Sequence, residues 1–181
     1  VKNFRRLKAN LDLADIRDEL RGSDQWVDED TLPNRPMTHA GTSRIQLRTN
    51  QKIAGRHYRE THETRDLPAW KTLARTRRFV TDFAREVGGE IGHVRVASLR
   101  VGGEIAPHID IGEYCAIRDR YHLVIDAPLG TEFVAGNEAV VMKEGELWWF
   151  DNKKKHCVRN IGDVPRIHLV FDLLPAANRR D

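Results

Sequence analysis

His108 and Asp110 are separated by one residue in Pro107-His108-Ile109-Asp110, and a second histidine, His156, comes later in Lys155-His156-Cys157. Two imidazoles and one carboxylate are the ligand set of a non-haem Fe(II) centre, and they leave about three of the metal's positions open. A bidentate 2-oxo acid would fill two of these and dioxygen the third. Arg166, beyond the second histidine, would then hold the far carboxylate of the oxo acid through a two-pronged, charge-assisted contact. The His-x-Asp pair alone is a common coincidence and reads as a surface turn with a satisfied histidine. His156 and Arg166 are what turn it into a candidate metal site.

Such side chains need strands to carry them. From His93 onward the chain breaks into short segments at 93–100, 105–111, 118–126, 130–135, 139–142, 146–151, 156–160 and 165–173. Gly102-Gly103, Pro128-Leu129-Gly130, Gly136-Asn137, Glu144-Gly145 and Ile161-Gly162 punctuate them. Short strands at this spacing predict a sandwich or barrel. Residues of equal parity on a strand share a face. His108 therefore projects with Asp110, and Arg118 with Arg120 and His122. On the last strand Arg166, His168, Val170 and Asp172 face one way, and Ile167, Leu169, Phe171 and Leu173 the other. Burying so many polar groups without partners would cost kilocalories each, so they are expected to meet one another, a metal or an anion. The consecutive Trp148, Trp149 and Phe150 read as core packing, and Asn152 as a strand end or a ligand-orienting group.

The residues before 93 read as support. Phe4, Leu7, Leu11 and Ala14 fall at helical spacing and predict an amphipathic helix over 4–20, ended by Gly22-Ser23. Trp26 to Gly41 reads as a long ordered loop. Ile45-Gln46-Leu47-Arg48 alternates as a short strand, with Arg44 and Arg48 on one face as candidate contacts for a substrate carboxylate. After a polar stretch over 49–67, Asp66-Leu67-Pro68 opens a helix in which Trp70, Leu73, Phe79, Val80, Phe83 and Val87 keep near-helical spacing up to Gly88-Gly89. His39, His57, His62 and His93 have no ligand-like spacing and read as surface residues. The fold expected is mainly β (α+β): a double-stranded β-helix, the cupin-like jelly roll, with supporting N-terminal helices. A single domain over 1–181 is expected, with 1–92 as helical and loop support carrying a substrate-side segment and 93–174 as the core with the metal site.

Composition narrows the function classes. The chain is 40% hydrophobic and 31% charged, an ordinary soluble profile, and no run approaches the roughly 18 apolar residues of a membrane span. No apolar signal segment opens it, so a cytoplasmic protein without a membrane partner is expected. Thirty basic against 27 acidic residues is too balanced to argue for nucleic acid. The clusters Arg75-Thr76-Arg77-Arg78 and Lys153-Lys154-Lys155 read as solvated faces. Two cysteines without CxxC spacing indicate a reducing compartment and no disulfide framework.

Residues 95 to 174 resemble the aspartyl/asparaginyl β-hydroxylase family of Fe(II)/2-oxoglutarate-dependent oxygenases, which includes the cis-type bacterial proline hydroxylases. The resemblance is carried by Gly102-Gly103-Glu104-Ile105-Ala106-Pro107-His108-Ile109-Asp110, Arg120-Tyr121-His122-Leu123, Glu144-Gly145-Glu146-Leu147-Trp148-Trp149-Phe150-Asp151-Asn152, His156 and Arg166-Ile167-His168-Leu169-Val170-Phe171-Asp172. Upstream, Trp26 and Thr42-Ser43-Arg44-Ile45-Gln46-Leu47-Arg48 are similar to the family's substrate-side segment. The resemblance implies His108, Asp110 and His156 as the iron-binding catalytic residues, and Arg166, His122 and Ser98 as contacts of the co-substrate 2-oxoglutarate. It implies Arg120 as a residue that reaches the substrate. Asp110 matches the proline-hydroxylase branch, since the peptidyl hydroxylases lack that carboxylate. Fe(II), 2-oxoglutarate and O2 are thus the cofactors expected. Arg118 and Arg120, with Arg44 or Arg48, suggest a small substrate bearing a carboxylate, such as a free amino acid, and His168 joins them by its parity with Arg166. Two other readings stay open: hydroxylation of Asp, Asn or Pro in a peptide, and a cupin-like module that binds metal or ligand without 2-oxoglutarate.

Overall fold

The computed structural model describes residues 2–33, 37–51, 54–57, 60, 63–127 and 131–179; His62 and the Pro128-Leu129-Gly130 turn lie outside them. Two antiparallel sheets face each other. The larger holds β1 (Phe4–Lys8), β2 (Val27–Asp28), β3 (Thr42–Asn50), β4 (Thr64–Asp66), β5 (Glu90–Leu99), β7 (Asp119–Asp126), β10 (Leu147–Phe150) and β12 (Arg166–Leu174). Its order is β1-β10-β7-β12-β5-β3-β2, with β4 also on β3. The smaller sheet runs β6 (Glu104–His108), β11 (His156–Arg159), β8 (Glu132–Ala135) and β9 (Glu138–Val141). This is the double-stranded β-helix architecture.

Strand parity decides where each side chain goes. One face of the large sheet presents Ile45, Leu47, Val94, Val96, Leu123, Leu169 and Phe171 to the helices, where Leu20, Trp70, Val80 and Phe83 close the core. The opposite face turns Leu99, Val124 and Phe150 toward Phe133, Ala135 and Val158 of the small sheet. Arg120 and His122 of β7 and Arg166, His168 and Asp172 of β12 point into this second, inter-sheet layer. The expected division of β12 holds: Ile167, Leu169, Phe171 and Leu173 pack on the helix side.

Three elements depart from the sequence reading. Residues 4–20 are not one helix: Phe4–Lys8 is an edge strand paired with β10, and the helix α1 runs Ala14–Arg21. Phe4 meets Phe133 and Phe150 between the sheets, a partnership that local spacing does not reveal. The segment before residue 92 is also more than support, because β1 to β4 are built into the large sheet and β3 pairs with β5 over most of its length. Finally, the helix after Pro68 is broken at Leu73 into α2 (Pro68–Thr72) and α3 (Ala74–Val87).

That break has a tertiary cause. The carboxylate of Glu19, on α1, accepts the backbone N–H groups of Arg75 (2.8 Å) and Thr76 (2.9 Å) and the Thr76 hydroxyl (2.8 Å). A remote side chain thus caps the first turn of α3, satisfying donors that a helix start leaves open and complementing its dipole. Glu19→Ala is expected to cost about 1–2 kcal/mol. Denaturant unfolding should show it as a lower midpoint with an unchanged slope; an unaltered midpoint would remove the capping role.

Candidate metal centre

β6 and β11 pair antiparallel with His108 directly opposite His156, which brings the two imidazoles to 4.2 Å between ring centroids. The Nδ1–H of His108 donates to the Ala106 carbonyl (2.8 Å), and that of His156 to the Lys154 carbonyl (2.9 Å). A carbonyl only accepts, so each Nδ1 holds the proton and each Nε2 keeps its lone pair for a metal. Asp110 follows the end of β6, with its Oδ1 3.7 Å from His108 Nε2. Ligand atoms of His108, Asp110 and His156 all lie within 4.8 Å of one another. Two nitrogens and one oxygen clustered on one side suit a first-row metal such as Fe(II) with open positions, and fit neither a closed structural zinc site nor an all-oxygen calcium site.

Electrostatics favour the ligating protonation states. Burial pushes Asp110 upward, but Arg120 foremost, then His156, Arg95 and the Asn152 hydrogen bond, outweigh it and hold the carboxyl at about 2. Burial pulls His156 down to about 4 against the Lys154 bond and the Asp110 charge, keeping the ring neutral. The other oxygen of Asp110, Oδ2, accepts from Asn152 Nδ2 (3.2 Å) and from Arg120 Nη1.

The cavity beside the triad is lined by Ile105, Phe133, Phe150, His122, Arg166 and Arg95, among others. Arg166 is 4% exposed, with Nη2 donating to His168 Nδ1 (3.0 Å) and its guanidinium 5.6 Å from the Phe133 ring centroid. Burial alone pulls it down to about 9. Arginine only donates, so His168 Nδ1 is an acceptor, and His122 Nδ1, 3.2 Å from the same atom, carries the proton between them. Burial, and then the Arg166 charge, hold both histidines well below their ordinary value. His122 and His168 therefore stand around Arg166 as neutral groups.

Several expected site residues lie elsewhere. Ser98 faces outward into a groove with Trp26, Ser43, Ile125 and Ile167, one parity step from the cavity face of β5. Arg48 and Arg44 do not share a face, because the β3–β5 register shifts between Gln46 and Arg48. Arg48 instead lies over Trp70 and pairs with Asp66, while Arg44 pairs with buried Glu29 (2.6 Å). Arg118 stacks 4.1 Å from the Tyr114 ring centroid and does not line the cavity. It packs where only glycine fits: a Cβ on Gly92 would come within 2.3 Å of the Tyr114 hydroxyl. Arg120, by contrast, does line the cavity, where it is engaged by two carboxylates, Asp110 and Asp172.

Two residues were missed. Arg95, on β5, lines the cavity with no carboxylate partner among the described residues. Its guanidinium is pulled down first by burial and then by Arg120. The parity rule could have found it, since Arg95 is the only charge in Val94-Arg95-Val96-Ala97-Ser98-Leu99 and lies opposite in phase to Ser98. His39, read as a surface residue, packs edge-on against His108 at 5.8 Å and also lines the cavity. Nothing in its local spacing announces this contact.

A double-stranded β-helix holding a two-histidine, one-carboxylate cluster between its sheets has the build of a non-haem metal oxygenase. The family model described as aspartyl/asparaginyl beta-hydroxylase matches residues 12–175, and the chain belongs to this family. Among solved structures it is similar to the viral collagen prolyl hydroxylase of Paramecium bursaria Chlorella virus-1, solved as its 2OG complex. That likeness has a TM-score of 0.57 and 11% identity, over 95% of this chain and 96% of that one. It is also similar to an oxidoreductase of the 2OG-Fe(II) oxygenase family from Burkholderia pseudomallei, with a TM-score of 0.53 and 17% identity over 97% and 98% of the two chains. A search of curated proteins finds no match. No helix among the described residues is long and apolar enough to cross a membrane.

Proposed function

We propose that this chain is an Fe(II)- and 2-oxoglutarate-dependent hydroxylase of a small substrate that bears a carboxylate, a free amino acid or close derivative. The observation that carries the reading is a pair of guanidiniums, Arg166 and Arg95, that line the same cavity as the metal cluster without a carboxylate partner among the described residues. A buried cation without an ion-pair partner, as Arg166 is among the described residues, is costly. Arg95 is half-buried and feels Asp110 and Asp172 only at longer range, so two guanidiniums beside a metal cluster are matched by two anionic ligands. Arg166 supports binding of the far carboxylate of 2-oxoglutarate, and Arg95 that of the substrate.

When bound, the iron, 2-oxoglutarate and dioxygen supply the oxidising chemistry for an unactivated C–H bond. The chain's residues do the rest. His108, His156 and Asp110 hold the metal on one side and leave the other open to the cavity. Phe133, Phe150 and Ile105 keep water from it, and the guanidiniums fix the orientation of what enters. Purified protein with Fe(II), ascorbate and 2-oxoglutarate should release succinate with members of an amino-acid panel. The absence of both 2-oxoglutarate binding and turnover across the panel would overturn this reading.

Arg95 separates substrate from co-substrate. Arg95→Leu is expected to raise KM for the substrate by roughly 30-fold or more while leaving the affinity for 2-oxoglutarate nearly unchanged. Titration of each ligand checks the split; an equal loss for both would mean that the two arginines serve one anion.

A further inference from the structure

We propose that Asp172 is a positioning residue for the metal centre, acting through Arg120, and that Asn152 completes the clamp on Asp110. The inference rests on the metal-binding reading of the His108, Asp110 and His156 cluster. Asp110 needs such a clamp because it lies just beyond β6, between the exposed Ile109 and Ile111, where no strand partner continues. Its backbone N–H donates to the Asn152 carbonyl (3.2 Å), and its Oδ2 accepts from Asn152 Nδ2 and Arg120 Nη1. Oδ1 is left as the oxygen that faces His108.

Arg120 could instead grip both oxygens of Asp110 and compete with the metal for them. Asp172 opposes that by fixing the orientation of the guanidinium. It sits directly across from Arg120 in the β7–β12 ladder and takes the other edge of the guanidinium, with Nε to Oδ1 at 2.7 Å and Nη2 to Oδ2 at 3.0 Å. Both residues are buried, at 8% and 2% exposure, so the fork is held without competing water. With the guanidinium held along that edge, its bond to Asp110 runs from Nη1 to Oδ2 alone, and Oδ1 stays free to act as a one-oxygen ligand. The resemblance implied a substrate contact for Arg120; the geometry assigns it to the metal side of the site.

The test is metal affinity, measured anaerobically by Fe(II) titration and repeated with Co(II), whose visible absorption reports ligand geometry. Asp172→Asn keeps the shape and removes the charge. It is expected to weaken metal binding roughly 10- to 100-fold and to change the Co(II) spectrum. In an Asp110→Ala background the same substitution should have no further effect, since the ligand it positions is gone. Arg120→Lys, which removes the fork and keeps the charge, should reproduce the loss and serves if Asp172→Asn does not fold. Asn152→Ala should weaken binding in the same direction. Wild-type affinity and spectrum in Asp172→Asn, or the same loss with and without Asp110, would overturn the proposal. Failure of the wild-type chain to bind metal would instead overturn the reading on which it rests.

Discussion

Arg166→Met is expected to melt higher than the wild-type chain while losing its affinity for 2-oxoglutarate. The guanidinium is buried to 4% exposure, and its only polar partner among the described residues is the neutral His168 ring. Burial alone pulls it down to about 9, so the folded state carries the desolvation cost of a cation with no carboxylate beside it among the described residues. Methionine has an unbranched stem that can follow the same path past Phe133 without that cost. Replacing a buried charge by an apolar group of similar volume is often stabilising, here by roughly 1–3 kcal/mol. The same change removes a charge-assisted anchor from a dry site, which should lower 2-oxoglutarate affinity by at least about 100-fold. Thermal unfolding of the metal-free protein and calorimetric titration with 2-oxoglutarate read the two effects separately. A Met variant that melts lower than wild type, or that still binds 2-oxoglutarate, would show that Arg166 is a structural cation.

Asp110→Ala should do the reverse of a folding mutation: metal retention collapses and the apo fold changes little. Removing the carboxylate takes one of three candidate ligands and the only anionic one in the cluster, so affinity is expected to fall by at least about 100-fold, more than the loss of an outer-shell partner. The damage to the fold is limited because Arg120 remains forked on Asp172. One N–H of Arg120 and one of Asn152 lose their partner, a cost of about 1–3 kcal/mol for each that water entering the vacated space does not satisfy. Equilibrium dialysis measures the first effect. Melting in the presence of a chelator measures the second, because bound metal would otherwise add its own stabilisation. Parallel loss of metal and of apo stability would count against a ligand role for Asp110.

The Arg166 layer was legible because it depends on strand parity, a rule that operates within a few residues: Arg166 and His168 share a side. His108 and Asp110 were legible as candidates from residue type and spacing, although Asp110 lies just beyond β6 and is held by Asn152 and Arg120. Ser98 fails by the same rule: its parity puts it on the outer face with Trp26 and Ile167. Arg95, in the alternate phase, reaches the cavity. Arg48 was illegible for a different reason. A register shift after Gln46 breaks the alternation that would have aligned it with Arg44, and a bulge is set by pairing with β5.

What the amino-acid sequence determined by itself is the set of short strands from residue 93 onward, the three metal-ligand candidates and the arginine beyond them. Hydrophobic period and residue chemistry are local properties, written in the chain before it folds. The tertiary structure alone decided which cations are free to bind. Arg44, Arg48 and Arg120 meet Glu29, Asp66 and Asp172 from distant segments and are neutralised there. Arg95 and Arg166 meet no such carboxylate among the described residues and face the cavity. Charge pairing is decided by through-space distance, and the partners here come together only when β7 lies beside β12, and β3 beside β2 and β4.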